Sequence, residues 1–451
     1  MSSALKERWQ IFTALVRLTL TLDIETRNYF RLIATIYQQF RKNYPWILKT
    51  LWETVNSQSW FVNSHLSSIL NRRQFLKTVA LSAIATEFPQ IAIANPFLKT
   101  ALKPPRLKVG DTVGLINPAS PIDQKDIAQI QQTLASLGLK VKLGKHILDR
   151  YGYLAGSDRD RASDVNAMFA DASVKAIVAV RGGWGCNRIL PLLNYPLIQA
   201  SPKILLGYSD ITSLLLAIYA KSGVVTFHGP VGTSTWNPFT VDYVKRILFN
   251  GEAVTMQNPP NASFKVEMIT PGKARGKLVG GNLSVLAAMV GSSYLPDWKQ
   301  SILFVEEIGE EVYRIDRMLT QLKLAGILDQ ISGFIFGHCT DCQPKYNQPS
   351  LTLSQVLREH IQPLGIPAWY GFPIGHIKDK FTLPVGVPVE IDANQNTIRM
   401  LESSVKWAGL GCSYSGCRLN RLIAKYYLNG VKILSFPTVL FRKLLLRQEL
   451  G

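Results

Sequence analysis

A strand, a tight turn and a helix are predicted in succession by the sequence Lys203-Ile204-Leu205-Leu206-Gly207-Tyr208-Ser209-Asp210-Ile211-Thr212. The apolar run at its start is typical of a buried strand, and Gly207 marks the turn. The apolar run 213–220 has the period of a helix, and Gly223 is the expected C-cap. This order predicts that Ser209 lies where the strand ends and the helix begins.

A serine at such a turn is a candidate nucleophile. Its hydroxyl projects from the end of the sheet, where the N–H of the next residue and the helix N-terminus can stabilise an oxyanion. The second glycine of the G-x-S-x-G pattern is missing, because Ile211 stands at that position. A simple helix-capping role for Ser209 is the alternative interpretation.

Alternating strands and helices precede this turn. Strands are predicted at 113–116, 141–143 and 175–180, and helices at 127–137 and 162–170. Alternation of elements with these lengths predicts a parallel sheet with helices on both faces.

A glycine-rich loop, Arg181-Gly182-Gly183-Trp184-Gly185, follows the third of these strands. It matches neither the dinucleotide-binding pattern nor the Walker pattern. We interpret it as a place where the backbone approaches a ligand closely, with Arg181 or a backbone N–H available for an anion. A simple turn is the alternative.

A second unit is predicted after the polar, turn-rich segment 250–262, where we place a domain joint. Its strand 301–305 is strongly apolar and ends at Glu306. A charge there costs free energy unless it is paired or used, so Glu306 is a functional candidate, whereas Glu307 points to the opposite side of the strand. Among five central histidines, His376 stands between a glycine and a polar loop, where its ring can project into a cleft.

The excess positive charge lies mainly at the two ends of the chain. The 451 residues contain 50 Lys and Arg against 31 Asp and Glu, for a net charge of +19. Residues 1–94 and 406–451 hold +13 of this charge, so the centre is only mildly basic. A nucleic-acid partner is therefore not predicted, and a small acidic ligand fits the balance.

Five cysteines do not make a disulfide framework in a chain of this length. Cys339 and Cys342 form a C-x-x-C pair, whereas Cys412 and Cys417 have a wider spacing. Because only His338 flanks either pair closely, we interpret these residues as buried thiols and predict no metal site.

Residues 70–94 resemble a twin-arginine export signal. Asn71-Arg72-Arg73-Gln74-Phe75-Leu76-Lys77 precedes a run of small apolar residues, and Ala92-Ile93-Ala94 offers a cleavage site after Ala94. This motif predicts export to the periplasm or a lumen, and a cytoplasmic protein with a basic helix here is the alternative. Because such signals normally begin a protein, either the true start is later or an extra segment, 1–69, precedes the signal.

Both ends of the chain are basic with apolar residues at helical spacing. In residues 1–69 no window reaches about 18 uninterrupted apolar residues, so no membrane-spanning helix is predicted there. The segments 1–69 and 405–451 fit amphipathic helices that contact a membrane surface, and packing against the rest of the protein is the alternative.

The motifs as a set resemble those of the LD-carboxypeptidases, the murein tetrapeptide carboxypeptidase family of serine peptidases, which also has microcin-immunity-type members. The resemblance covers about residues 105–402. Its motifs are Leu206 to Thr212, Arg181-Gly182-Gly183, Phe227-His228-Gly229-Pro230, Gly280-Gly281-Asn282-Leu283, Leu303 to Glu307, Tyr313 to Leu319, Gly375-His376 and Leu383-Pro384-Val385-Gly386.

The resemblance implies an α/β protein of two domains. An N-terminal Rossmann-like parallel-sheet domain is expected at 95–250 and a smaller C-terminal α/β domain at 262–404, with the active site in the cleft between them. It implies a catalytic triad of Ser209, His376 and Glu306. It further implies an oxyanion held by the backbone N–H groups of Asp210 and of the Gly182-Gly183 turn, and a substrate pocket shaped by Arg181 or Asn282.

The implied reaction is hydrolysis of an L–D peptide bond that releases D-alanine from murein tetrapeptide, without a metal or organic cofactor. Two alternatives remain: hydrolysis of another amide such as a peptide-nucleotide antibiotic, and non-catalytic binding of wall peptides. The sequence departs from the family pattern at Trp184, Cys186 and Glu307, which leaves the substrate preference and the choice between Glu306 and Glu307 open. A homodimer is compatible with the sequence.

Overall fold

The computed structural model describes residues 101–259, 265–343 and 349–407. The segment 1–69, the predicted export signal at 70–94 and the basic tail from 408 onward lie outside these residues. Within the described ranges, every helix is too short or too polar to cross a lipid bilayer.

The strands and helices of the described residues take the following bounds. The strands are β1 (Thr112–Ile116), β2 (Lys140–Leu143), β3 (Val174–Ala179), β4 (Ile204–Gly207), β5 (Thr226–His228), β6 (Thr255–Gln257), β7 (Glu267–Thr270), β8 (Lys273–Asn282), β9 (Ser301–Ile308), β10 (Gly333–Thr340), β11 (Ala368–Tyr370), β12 (Leu383–Val385), β13 (Pro388–Asp392) and β14 (Thr397–Met400). The α-helices are α1 (Gln124–Ser136), α2 (Asp158–Ala170), α3 (Cys186–Ile189), α4 (Tyr195–Ala200), α5 (Thr212–Ser222), α6 (Pro238–Val244), α7 (Leu283–Ala288), α8 (Val312–Leu324) and α9 (Leu353–Ile361).

The first sheet has the strand order β2-β1-β3-β4-β5-β12. Its first five strands run parallel, and β12 pairs antiparallel with β5, so that Leu383 lies opposite His228. β4 is buried along its whole length because helices cover both faces of a parallel sheet. The strand, turn and helix predicted around Ser209 are confirmed, and α5 ends at Gly223 with φ +74°.

The second sheet has the order β6-β14-β13-β8-β9-β10-β11-β7. Its central strands β8, β9, β10 and β11 are parallel, and antiparallel strands extend it on both sides. In β9 the seven residues from Ser301 to Glu307 are all buried, which brings two carboxylates into the interior. The α/β architecture with two sheets agrees with the predicted fold class.

Two strands depart from the expected division into a first domain, a joint and a second domain. β6 lies within the segment 250–262 that we predicted as a joint, yet it pairs with β14 of the second sheet. β12 lies within 262–404 but completes the first sheet. The domain boundaries 95–250 and 262–404 stay predictions. The strand β12 follows the predicted joint in sequence but belongs to the first sheet.

The two sheets meet close to Ser209. The backbone N–H of Asn282, at the end of β8, donates a hydrogen bond of 2.9 Å to the Thr212 hydroxyl at the start of α5. The segment after His376 is held by α6, because the Thr240 hydroxyl donates to the Lys378 carbonyl oxygen at 3.3 Å. These contacts bring the ends of β4 and β9 to one cleft.

Candidate active site

Ser209 occupies a strained turn. It has φ +63°, a left-handed conformation that residues other than glycine rarely adopt and that costs of order 1–3 kcal/mol. It begins a short 3-10 helix, Ser209–Ile211, that leads into α5. The conformation matches that of a nucleophile held at a strand-to-helix turn rather than a simple N-cap, which takes extended backbone angles.

The glycine-rich loop lies directly against this turn. A Cβ on Gly182 would come within 2.8 Å of the Ser209 Cβ and 2.9 Å of its Oγ, so only glycine permits this approach. Asp210 joins the same two segments, since its Oδ2 accepts a hydrogen bond of 2.9 Å from the Cys186 N–H. Burial raises the pKa of the Asp210 carboxyl and lifts that of the Cys186 thiol well above its usual value.

His376 and Glu306 form a hydrogen-bonded pair. The Nδ1 of His376 lies 2.8 Å from Oε2 of Glu306, whose side chain is 0% exposed. Gly375 makes the approach possible, because its φ is +112° and a Cβ there would stand 2.6 Å from the same Oε2. The Thr340 hydroxyl donates to the His376 carbonyl oxygen at 3.1 Å and fixes the loop from the other side.

Glu307 has a different environment, which distinguishes the two candidate carboxylates. It accepts hydrogen bonds from the Asn282 side-chain amide at 3.0 Å and from the Ser284 N–H at 2.7 Å and hydroxyl at 2.6 Å. Asn282 itself caps α7 by accepting from the Val285 N–H. Burial raises the pKa of Glu307. The structure thus pairs Glu306, and not Glu307, with His376.

One cavity of about 870 Å³ brings the predicted site residues together. Ser209 and His376 both line it, and Glu306 lies behind His376. The other predicted residues on its wall are Arg181, Gly182, Gly183, Asp210 and Asn282. The side chains of Asp210 and Asn282 are engaged in holding loops, so their part in the cavity is structural.

Several residues that line the cavity were not among the predicted site residues. Asp126 and Glu310 line the cavity, but nothing in their spacing sets them apart from surface carboxylates. Tyr208 precedes Ser209, and its ring centroid lies 4.7 Å from that of His376. Its position beside a candidate nucleophile was the available signal. Burial raises the pKa of Tyr208 to about 12.

The cysteine interpretation needs a correction. Cys339 and Cys342 form a disulfide, whereas we had expected buried thiols. Their Cα atoms are 5.5 Å apart, a separation that is typical of a disulfide. Cys186 is a free, buried thiol, and Cys412 and Cys417 lie outside the described residues.

Within the described ranges, one group of side chains has metal-ligand spacing: His146, Asp149 and Asp160. Its His146 Nδ1 lies 2.8 Å from the Asp149 carboxylate, and Nε2 faces Asp160 at 3.7 Å. The Asp149 contact is a hydrogen bond, whereas the 3.7 Å separation from Asp160 is too long for one.

Comparison with known proteins identifies relatives of both halves of the chain. The family model described as the LD-carboxypeptidase N-terminal domain matches residues 113–229, and the model of the C-terminal domain matches residues 275–391. A Bacillus subtilis protein named "Probable murein peptide carboxypeptidase" is 41% identical over 313 residues, which are 68% of this chain and 97% of that protein.

Two further relatives carry names that describe different functions. The murein tetrapeptide carboxypeptidase of Pseudomonas aeruginosa is 31% identical over 63% of this chain and 94% of its own. The Microcin C7 self-immunity protein MccF of Escherichia coli is 30% identical over 66% of this chain and 94% of its own. A solved structure of MccF with aspartyl sulfamoyl adenosine has a TM-score of 0.63 at 28% identity, over 68% of this chain and all of that one.

Proposed function

The chain belongs to the LD-carboxypeptidase family of serine peptidases, and on this premise we propose that it releases D-alanine from murein tetrapeptide by hydrolysing an L–D peptide bond. One observation carries the proposal. A single cavity holds Ser209, presented by the first sheet at φ +63°, and His376, whose ring is bonded to the buried Glu306 of the second sheet.

The reaction follows from the chemistry of these three groups. Because Nδ1–H of His376 donates to the Glu306 carboxylate, Nε2 is the basic nitrogen that removes the Ser209 proton. Ser209 Oγ then attacks the carbonyl carbon of the L–D bond. His376 gives the proton to the departing D-alanine nitrogen, and a water molecule, activated in the same way, hydrolyses the acyl-enzyme.

The developing oxyanion requires hydrogen-bond donors beside Ser209. The backbone N–H of Asp210 and those of the Gly182-Gly183 turn are the donors that we assign to this role, since Gly182 lies against Ser209. The Asp210–Cys186 hydrogen bond supports the assignment because it ties the loop to the turn.

A carboxypeptidase must also bind the free carboxylate at the end of its substrate. Arg181 is the one Lys or Arg among the described residues that line the cavity. Its guanidinium can bind a carboxylate through two hydrogen bonds, which favours a substrate that ends at this point over a longer peptide. Arg181 is therefore our candidate for carboxylate recognition.

The test uses the purified full-length chain, murein tetrapeptide ending in D-alanine, and mass spectrometry. We expect loss of one D-alanine with the parent and with Ser163→Ala, an exposed serine on α2, and none with Ser209→Ala. A matched peptide ending in L-alanine should stay intact. Release of D-alanine by Ser209→Ala, or no release by a folded parent, would contradict the proposal.

A second candidate function takes an aminoacyl or peptidyl nucleotide at the same site, as the ligand in the MccF structure suggests. Trp184 favours it, because this residue lines the cavity and is 67% exposed, so its ring is free to stack on a nucleobase. Base stacking is worth about 1–3 kcal/mol. If this function holds, Trp184→Ala should raise KM for aspartyl sulfamoyl adenosine about 5- to 150-fold and leave tetrapeptide hydrolysis unchanged.

We also propose that residues 70–94 direct export and are removed after Ala94. The motif Arg72-Arg73 followed by Phe75-Leu76-Lys77 supports this proposal. Protein purified from cells that make it naturally should begin at Asn95 by N-terminal sequencing. A chain that begins at Met1 would contradict cleavage.

A further inference from the structure

Lys380 is a buried lysine close to the proposed triad. It follows His376 by four residues, and only 4% of its surface is exposed. The segment that carries it is fixed to the first sheet's side of the cleft, since the Lys380 N–H donates to the Thr240 hydroxyl on α6 at 3.3 Å. A buried ammonium group is costly unless nearby groups compensate for its charge.

The aromatic ring of Tyr208 provides the first compensation. The Lys380 Nζ lies 4.7 Å from the centroid of this ring, within the range of a cation–π interaction. The same ring contacts His376 at 4.7 Å between centroids. Tyr208 therefore touches both Lys380 and the proposed base, and its backbone continues directly into Ser209.

The Glu306 carboxylate provides the second compensation. One of its oxygens pairs with His376, and the other, Oε1, is buried with no hydrogen-bond partner among the described residues. A buried anion in this state needs a positive charge nearby. Lys380 interacts favourably with Glu306, since the carboxylate opposes the lowering of the lysine pKa that burial causes.

The charged and titratable groups that face Lys380 come from four parts of the fold. Glu306 lies on β9, His228 on β5, Tyr208 after β4, and Asp379 is the preceding residue. Burial lowers the pKa of Lys380 to about 8, and Glu306 and Asp379 act in the opposite direction. At neutral pH most molecules therefore carry the positive charge.

We propose that Lys380 is a positioning residue of this site, whose positive charge holds Tyr208 against His376 and stabilises the negative charge of Glu306. It does not reach the cavity wall, so it acts through these residues and not on the substrate. The role rests on the proposed nucleophile and base, but it is independent of which amide the enzyme hydrolyses.

The experiment compares the full-length parent with Lys380→Met, Lys380→Arg and Lys378→Met. Methionine keeps the packing of the stem and removes the charge, and arginine keeps the charge. Lys378 is the matched control, because it is an exposed lysine two residues earlier in the same segment. Thermal unfolding of each variant establishes that it is folded.

Two measurements distinguish a failure of this inference from a failure of the proposed substrate. The first is kcat and KM for D-alanine release, and the second is the rate at which a fluorophosphonate labels Ser209, which requires no knowledge of the substrate. We expect Lys380→Met to lower kcat and the labelling rate about 10- to 100-fold, with KM within twofold. Lys380→Arg should recover part of both rates, and Lys378→Met should match the parent.

The pH profile of the labelling rate supplies a second test, which begins with the parent protein. As the pH rises through about 8, Lys380 loses its proton, so the labelling rate of the parent should fall. Lys380→Met should lack this decline. If no D-alanine is released but labelling depends on Lys380, the substrate proposal fails and this inference stands. Equal labelling of Lys380→Met and Lys378→Met, a change in KM alone, or an unlabelled parent would overturn it.

Discussion

The two sheets hold their parts of the site by different means. The first sheet presents Ser209 through backbone geometry: a left-handed turn, a glycine that lies against it, and the short 3-10 helix Ser209–Ile211. The second sheet holds His376 through a buried charge, Glu306, at the end of β9. Backbone geometry does not change with protonation, whereas a buried carboxylate works only in one charge state.

This difference implies that substitutions in the two sheets should affect different measured properties. Substitutions that disturb the Glu306–His376 pair of the second sheet should remove activity from a protein that still folds. Substitutions at the first sheet's buried positions should instead appear in stability and in its dependence on pH. The adjacent residues Glu306 and Glu307 show a similar contrast within one strand of the second sheet, because only Glu306 is hydrogen-bonded to His376.

The largest effect is expected from replacing each of these neighbouring glutamates by glutamine. Glu306→Gln removes the charge that stabilises protonated His376, and we expect kcat to fall about 10⁴-fold with little change in folding. Glu307→Gln disturbs the hydrogen bonds that hold α7, so we expect a loss of about 1–3 kcal/mol in unfolding free energy and a much smaller change in kcat. Steady-state kinetics and urea unfolding measure the two. Equal kinetic losses would mean that both carboxylates serve the histidine.

A smaller effect is expected from adding one methyl group beside the His376–Glu306 pair. Gly375→Ala places a Cβ 2.6 Å from Glu306 Oε2 at φ +112°, so the carboxylate or His376 must move. We expect kcat to fall about 100-fold. Gly365→Ala is the matched control, because Gly365 also has a positive φ, +64°, but open space around it. A control that loses as much activity as Gly375→Ala would show that strain alone is responsible.

The next effect is a dependence of folding stability on pH, which arises from His228 on β5 of the first sheet. Burial lowers the pKa of His228 from its ordinary value of 6.5 to about 4, so below pH 6.5 the unfolded chain binds a proton that the folded chain does not. The stability contribution is complete above about pH 6.5 and is lost as the pH falls, by about 3 kcal/mol near pH 4.

His228→Leu should flatten this dependence in urea unfolding followed from pH 7 to pH 4. Phe227→Leu, the buried neighbour on the same strand, should lower stability equally at every pH and leave the slope unchanged. An unchanged slope in His228→Leu would assign the acid sensitivity to another group.

The smallest effect is expected from the disulfide. Cys339–Cys342 closes a very short loop, which limits its stabilisation to about 2 kcal/mol. The pairing of β10 with β9 at Cys339 and Thr340 should keep Thr340 on the His376 carbonyl after the bond is removed. The double substitution Cys339→Ser and Cys342→Ser should therefore lower the melting temperature and keep kcat within about threefold. A large kinetic loss would instead place the disulfide in control of the histidine loop.

The local pattern was sufficient for the first half of the site. An apolar run, Gly207, a hydroxyl residue and a helical run specify the turn around Ser209, because each of these preferences acts between near neighbours in sequence. Strand alternation favoured Glu306 over Glu307 but left the choice between them open. The resemblance to the family joined these segments to His376, which lies 70 residues beyond Glu306.

The remaining parts depend on contacts between distant segments. Nothing near Lys380 in sequence indicates that its ammonium lies over Tyr208, since that contact exists only after the segment packs against α6. The place of β12 beside β5 was not predicted for the same reason. The Cys339–Cys342 pair was misjudged because the same spacing is typical of thiols, of zinc ligands and of a disulfide.

The late position of β12 in the sequence has a consequence for the newly made chain. A ribosome must complete residues 383–385 before β5 gains its last neighbour, and by then the whole second sheet except β13 and β14 has been synthesised. Until that moment the nascent first sheet carries an open edge, a feature that invites pairing with other chains. His376 emerges in the same late segment. β12 then becomes the end strand of this sheet, so β5 gains its outer neighbour only after the segment that carries His376 has been made.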